Sequence, residues 1–158
     1  MMASSNVRLD YKELIKLKEN ILLFGNPDQM DAFFESCAKE LAARLLAKVI
    51  KRTPVGQYPA ETGKKGGTLR RGWTGGESSN AKAYSNSLKV NKVGNDYVID
   101  IINPVEYASY VEFGHRTRNH KGWVEGKFML TISEDEIRNS APTILQKKLK
   151  DYLKGCFK

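Results

Sequence analysis

Residues 28 to 51 read DQMDAFFESCAKELAARLLAKVIK, and the apolar side chains of Phe33, Phe34, Cys37, Leu41, Leu45, Leu46 and Val49 recur there at steps of three and four. Lys39, Glu40, Arg44 and Lys48 fall largely on the other side, so the spacing predicts a long amphipathic helix. It should end near Thr53, because Pro54 has no amide hydrogen and disfavours helical geometry at the residue before it. Such a helix must bury its apolar stripe, and the fold therefore turns on what the rest of the chain offers to cover it.

Upstream, Leu14, Ile15, Leu17, Ile21 and Leu22 predict a shorter helix from Asp10 to Leu23, stopped by Gly25, Asn26 and Pro27. Downstream, residues 54–80 hold seven of the thirteen glycines and show no apolar period, with Leu69 and Trp73 as the strong anchors. The expectation is a long basic loop, mobile until something binds it. SLKVNKV and DYVIDIIN, joined through Gly94, Asn95 and Asp96, predict a hairpin. VEYASYVEFG predicts a short helix capped by Gly114. A loop then runs from His115 to Gly126, and Ser133 with Glu136 has the spacing of a capping box opening the last helix. Pro142 should kink or restart that helix. The fold class expected is α+β: a long N-terminal helix and a C-terminal helix packed on a small antiparallel sheet, in a single domain spanning 1–158.

The chain carries a net charge of +8, and the charge is regional. Nine Lys and Arg face two Glu between residues 51 and 92, whereas residues 93–140 sum to −3. A basic span can meet nucleic acid or an acidic protein surface by the same electrostatics. The N-terminal 20 residues lack the apolar run of a signal peptide or a membrane span, and Cys37 and Cys156 are expected as reduced thiols; both point to a soluble protein made in a cytoplasm.

Residues 107–130, YASYVEFGHRTRNHKGWVEGKFML, concentrate five aromatics, two histidines and two arginines, and invite reading as an active site. His115 and His120 are the only histidines, too few for a metal centre even with Glu112 or Glu125 added. Glu106, Glu112 and Glu125 are not spaced to share acid–base work, and no nucleophile elbow occurs. GKKGGT at 63–68 fails as a phosphate loop, because its lysines do not directly precede the threonine. No catalytic residue, cofactor or metal is expected. Lys64, Lys65, Arg70 and Arg71 with Tyr58 and Trp73 do combine charge with stacking surfaces, which leaves non-specific nucleic-acid binding through residues 51–92 as the alternative function.

YASYVEFGHRTR resembles a motif of the gene-product-ten-like family of tail components and head-tail connectors of long-tailed bacteriophages. ELAARLLAKVIKRTPV, TGKKGGTLRRGW and the strand pair before NPVEYASYVEFG stand in the family's order, so the resemblance covers about residues 10–155; WVEGKFML departs from the Pro and Phe-Leu segment of many relatives. The resemblance implies a non-enzymatic neck protein of the virion: a ring of six or twelve copies between portal and tail tube, touching neighbouring neck and tail proteins, with DNA passing through its lumen and no membrane. Under that reading Tyr107, Tyr110, Val111 and Phe113 pack a helix on the sheet, while Glu112, Arg116 and Arg118 are free to pair within or between subunits. Lys64, Lys65, Leu69, Arg70, Arg71 and Trp73 on the loop, with Trp123, complete the expected contact residues. The arm from Pro54 to Asn80 is expected to order on a neighbour during assembly.

Overall fold

The computed structural model describes residues 12, 15, 18, 25–76 and 80–156, the side chain of Cys156 apart. In chain order the elements are α1 (Pro27–Arg52), a 3-10 turn (Ala60–Thr62), α2 (Thr68–Gly72), α3 (Ala81–Ser87), β1 (Asn91–Val93), β2 (Asp96–Val98), α4 (Ala108–Phe113), β3 (Gly114–Arg116), β4 (Trp123–Glu125) and α5 (Met129–Cys156). The helix expected over 10–23 lies outside the described residues, except that Lys12, Ile15 and Lys18 are helical.

The helix read from residues 28–51 is α1. Asn26 caps it, its side chain accepting the Asp28 amide at 3.0 Å, and Pro27 fills the first turn, where a missing amide hydrogen costs nothing. Its stripe of Cys37, Leu41, Leu45 and Val49 is buried in one cluster with Ile137, Ala141 and Leu145 of α5, with Ile99 and Ile101 closing the core from the segment after β2, while Phe34 is buried against Tyr97. The class is α+β as expected, with the strands in two separate ribbons. β1 and β2 pair antiparallel, Val93 opposite Asp96, around a two-residue Gly94-Asn95 loop. β3 and β4 pair as a second hairpin, Arg116 opposite Trp123, where the sequence suggested only loop.

Two further expectations are corrected and a third is narrowed. Residues 54–80 contain α2, with Leu69, Gly72 and Trp73 buried, because the end of α1 gives them partners: the Trp73 indole donates to the Thr53 hydroxyl at 2.8 Å, and Arg70 donates twice to the Thr53 carbonyl at 2.7 and 3.1 Å. Gly72 packs so tightly there that a β-carbon would stand 2.2 Å from Oδ1 of Asn103, whose amide holds the Leu69 carbonyl at 2.8 Å. The last helix begins at Met129, one turn before Ser133. Pro142 lies inside a continuous α5 and does not restart it. Cys37 is a free, buried thiol, and burial pushes its pKa up to about 11.

Candidate assembly surface

Three segments meet around α4: the β3–β4 hairpin that follows it, the 126–128 link, and the first turn of α5. The link runs back along the end of α4, the amides of Lys127 and Phe128 donating to the carbonyls of Val111 and Glu112 at 2.7 and 3.0 Å. Those carbonyls would otherwise be orphans of a helix C-terminus. Gly114 ends α4 at φ 84, and a β-carbon there would lie 2.4 Å from the Val124 carbonyl oxygen, so the motif's glycine lets helix and hairpin touch.

Glu112, expected to be free to pair within or between subunits, is 4% exposed. Its carboxylate accepts the Leu130 and Thr131 amides at 2.9 Å each and the Thr131 hydroxyl at 2.7 Å. It thereby serves as the N-terminal cap of α5 from a different element, and a negative charge there complements the helix dipole. Ser133, no longer a cap, donates to the Met129 carbonyl at 2.6 Å and accepts from Arg52 at 2.7 Å. Glu136 pairs with Lys48 at 2.8 Å and Arg52 at 2.7 Å, and these hydrogen bonds, the one from Lys48 foremost, hold its carboxyl below the usual carboxylate range.

The aromatics of α4 face the other way. Tyr107, Tyr110 and Phe113 are 45%, 57% and 56% exposed, so the expectation that they pack the helix on the sheet is corrected; Ala108, Glu112 and Val111 form the inner side. Three-residue steps put the three rings along one side of the helix. Trp123 is exposed on β4, and Val124, Phe128 and Ile132 add apolar surface that the sequence reading missed. The row at 107, 110 and 113 was a detectable signal, but the same spacing also describes a buried stripe. Tyr110 and the His115 ring sit edge to face, 5.8 Å between centroids.

The other expected contact residues divide. Lys64 and Lys65 are exposed on the span 54–65, in which every residue is exposed. Leu69 and Trp73 are core, Arg70 is bound to Thr53, and Arg71 reaches the Gly66 carbonyl at 3.3 Å. Arg116 and Arg118 are exposed on the hairpin. A β-carbon at Gly66 would stand 1.9 Å from the Gly56 carbonyl oxygen, so the backbones pinch together at the base of the loop 56–66. At the far end of α1, Asp31 accepts from the Tyr97 hydroxyl and from Lys92 at 3.0 Å, with Lys18 donating to the Tyr97 hydroxyl at 3.2 Å. Asp31 is held below its ordinary pKa, chiefly by the Tyr97 hydrogen bond and then by Lys92; burial, followed by the Asp31 hydrogen bond, raises Tyr97, while burial and then Lys92 lower Lys18.

Among the described residues no cluster of three or more His, Cys, Asp or Glu gathers to hold a metal, and no helix is long and apolar enough to cross a membrane. Residues 26–114, more than half of the chain and ending at the glycine that closes α4, match the family described as "Bacteriophage HK97-gp10, putative tail-component". No curated protein and no solved structure matches.

Proposed function

This chain belongs to the HK97-gp10-like family of bacteriophage tail components, and we propose that it works without catalysis, as a homo-oligomeric ring of the virion neck between portal or connector and tail tube. The observation that carries this reading is the row of Tyr107, Tyr110 and Phe113 left in water on α4, beside exposed Phe128 and Ile132. The chain has a core of its own to fill, so a group of large apolar side chains kept outside it marks a protein contact. A ring needs two different patches on each subunit. The second is the pinched loop 54–67, which exposes Val55 and Tyr58 beside Lys64 and Lys65, and which orders against a neighbouring subunit or ring.

Light scattering and electron microscopy of the purified protein test the ring: closed particles of six or twelve subunits are expected, and a strictly monomeric protein at high concentration would overturn it. Deleting residues 57–65 tests the second patch. The deletion spares Leu69 and Trp73, so the fold should survive while heads and tails fail to join. Infectious particles from the deletion mutant would remove the loop from assembly.

A further inference from the structure

We infer that the tip of the β3–β4 hairpin is a contact for the phosphate backbone of duplex DNA, a ligand additional to the protein contacts proposed for α4 and the 54–67 loop. Arg116, Arg118, Lys121 and Lys127 lie within 12 residues, all are exposed, and their side chains have no ion-pair or hydrogen-bond partner among the described residues. One carboxylate, Glu125, shares the hairpin; the nearby Glu112 is spent capping α5 and neutralises nothing at the surface. Four cations against one anion leave the hairpin with a concentrated, unpaired positive charge.

The basic span 51–92 looks stronger in sequence and is weaker in space. Arg52 is committed to Ser133 and Glu136, Arg70 to Thr53, Arg71 to Gly66 and Lys92 to Asp31. Its remaining lysines are scattered over the end of α1, the pinched loop, α3 and the segment before β1.

The hairpin tip is also built to stand firm. The Thr117 hydroxyl donates to the Asn119 side-chain oxygen at 2.6 Å and accepts the Gly122 amide at 3.0 Å; the Lys121 amide donates to Asn119 at 3.1 Å and the His120 amide to the Thr117 carbonyl at 2.8 Å. The Thr117 hydroxyl and the Asn119 side-chain oxygen are thus used up inside the turn. Trp123, 56% exposed and paired in register with Arg116, adds a flat apolar surface beside the charge. A two-stranded ribbon is of a size that the major groove of B-form DNA admits. No base-reading side chain is implied, so the contact is sequence-independent.

The test is fluorescence anisotropy of a labelled 30-base-pair duplex with the full chain across a salt series. Each phosphate contact contributes a slope of about −0.9 in log K against log salt, so the change of Arg116, Arg118 and Lys121 to Ala should flatten the slope by roughly 2.7 and weaken binding by well over tenfold at about 0.1 M salt. Changing Lys51, Lys64 and Lys65 to Ala removes the same charge and should cost less than about threefold. Tryptophan emission gives a reading on the unaltered chain: Trp73 is buried, so a duplex-dependent change reports Trp123 and should vanish in Trp123→Phe. Equal losses in the two triple variants, an unmoved Trp123 signal, or a hairpin variant that loses its oligomeric state while keeping DNA affinity would each overturn the assignment, the last in favour of a protein partner.

Discussion

Glu112 and Thr131 are joined twice: one carboxylate oxygen of Glu112 accepts both the amide of Thr131 at 2.9 Å and its hydroxyl at 2.7 Å, while the other takes the Leu130 amide. Glu112 thereby fixes where the C-terminal helix starts. Glu112→Ala would strand two amides at a helix start and remove a buried charge from the positive end of the dipole, a loss of about 3 kcal/mol in denaturant unfolding. Glu112→Gln, which keeps one good acceptor, should lose roughly half of that. An unchanged midpoint for the alanine variant would show that the cap is not needed.

Gly72→Ala should be among the most damaging one-carbon additions. The new methyl would press on Asn103 at 2.2 Å and on Val105 at 2.9 Å, and Asn103 cannot yield without releasing the Leu69 carbonyl. A cost above about 2 kcal/mol is expected. Gly155→Ala, inside α5 with nothing within 4 Å, is the control and should be neutral or stabilising.

These two sites also show what the sequence could not disclose. The stripe of α1 is long enough for its period to speak for itself, and Gly114 marks the end of α4 by local geometry alone. The start of α5 was misread because Ser133 and Glu136 mimic a local cap, whereas the real one comes from Glu112 across the fold; Ser133 and Glu136 answer instead to Arg52. α2 has five residues, too few to show a helical period, and it exists because Thr53 satisfies Arg70 and Trp73. β3 and β4 have three residues each, below the length at which alternation can be seen. The outward face of α4 was not legible either, since the spacing of Tyr107, Tyr110 and Phe113 is the same whether the row faces in or out.

Which way that row faces has a measurable consequence. Tyr110→Asp with Phe113→Asp should leave the monomer's stability within about 0.5 kcal/mol per site, because both rings are largely in water. The same pair should abolish the proposed ring in light scattering. Strong destabilisation of the monomer would mean that the rings support the fold.

The Asp31 cluster predicts an acid limb. The folded state holds the Asp31 carboxyl below its ordinary pKa, so its contribution is complete above that ordinary value, near pH 4, and drains away as pH falls through the folded value. Half-exposed and screened, it is worth less than about 1 kcal/mol. Asp31→Asn should therefore melt lower than the parent at pH 7 and converge with it near pH 2; parallel curves across that range would deny the linkage.

Cys37 should behave as a hydrophobe. With its thiol pushed up to about 11 by burial, it should resist a thiol reagent at pH 8 in the native protein and react promptly once denaturant unfolds it. Rapid native-state labelling would contradict the packing of α1 on α5.

The pinch between Gly56 and Gly66 separates two design problems. A chain that leaves and returns at one point can vary what it carries between those points without retuning α1 or α2, because added length costs only a slowly growing closure entropy. An epitope or fluorophore spliced in at Gly63 should thus leave the helices that carry the loop unaltered while obstructing the neighbour contact proposed for it.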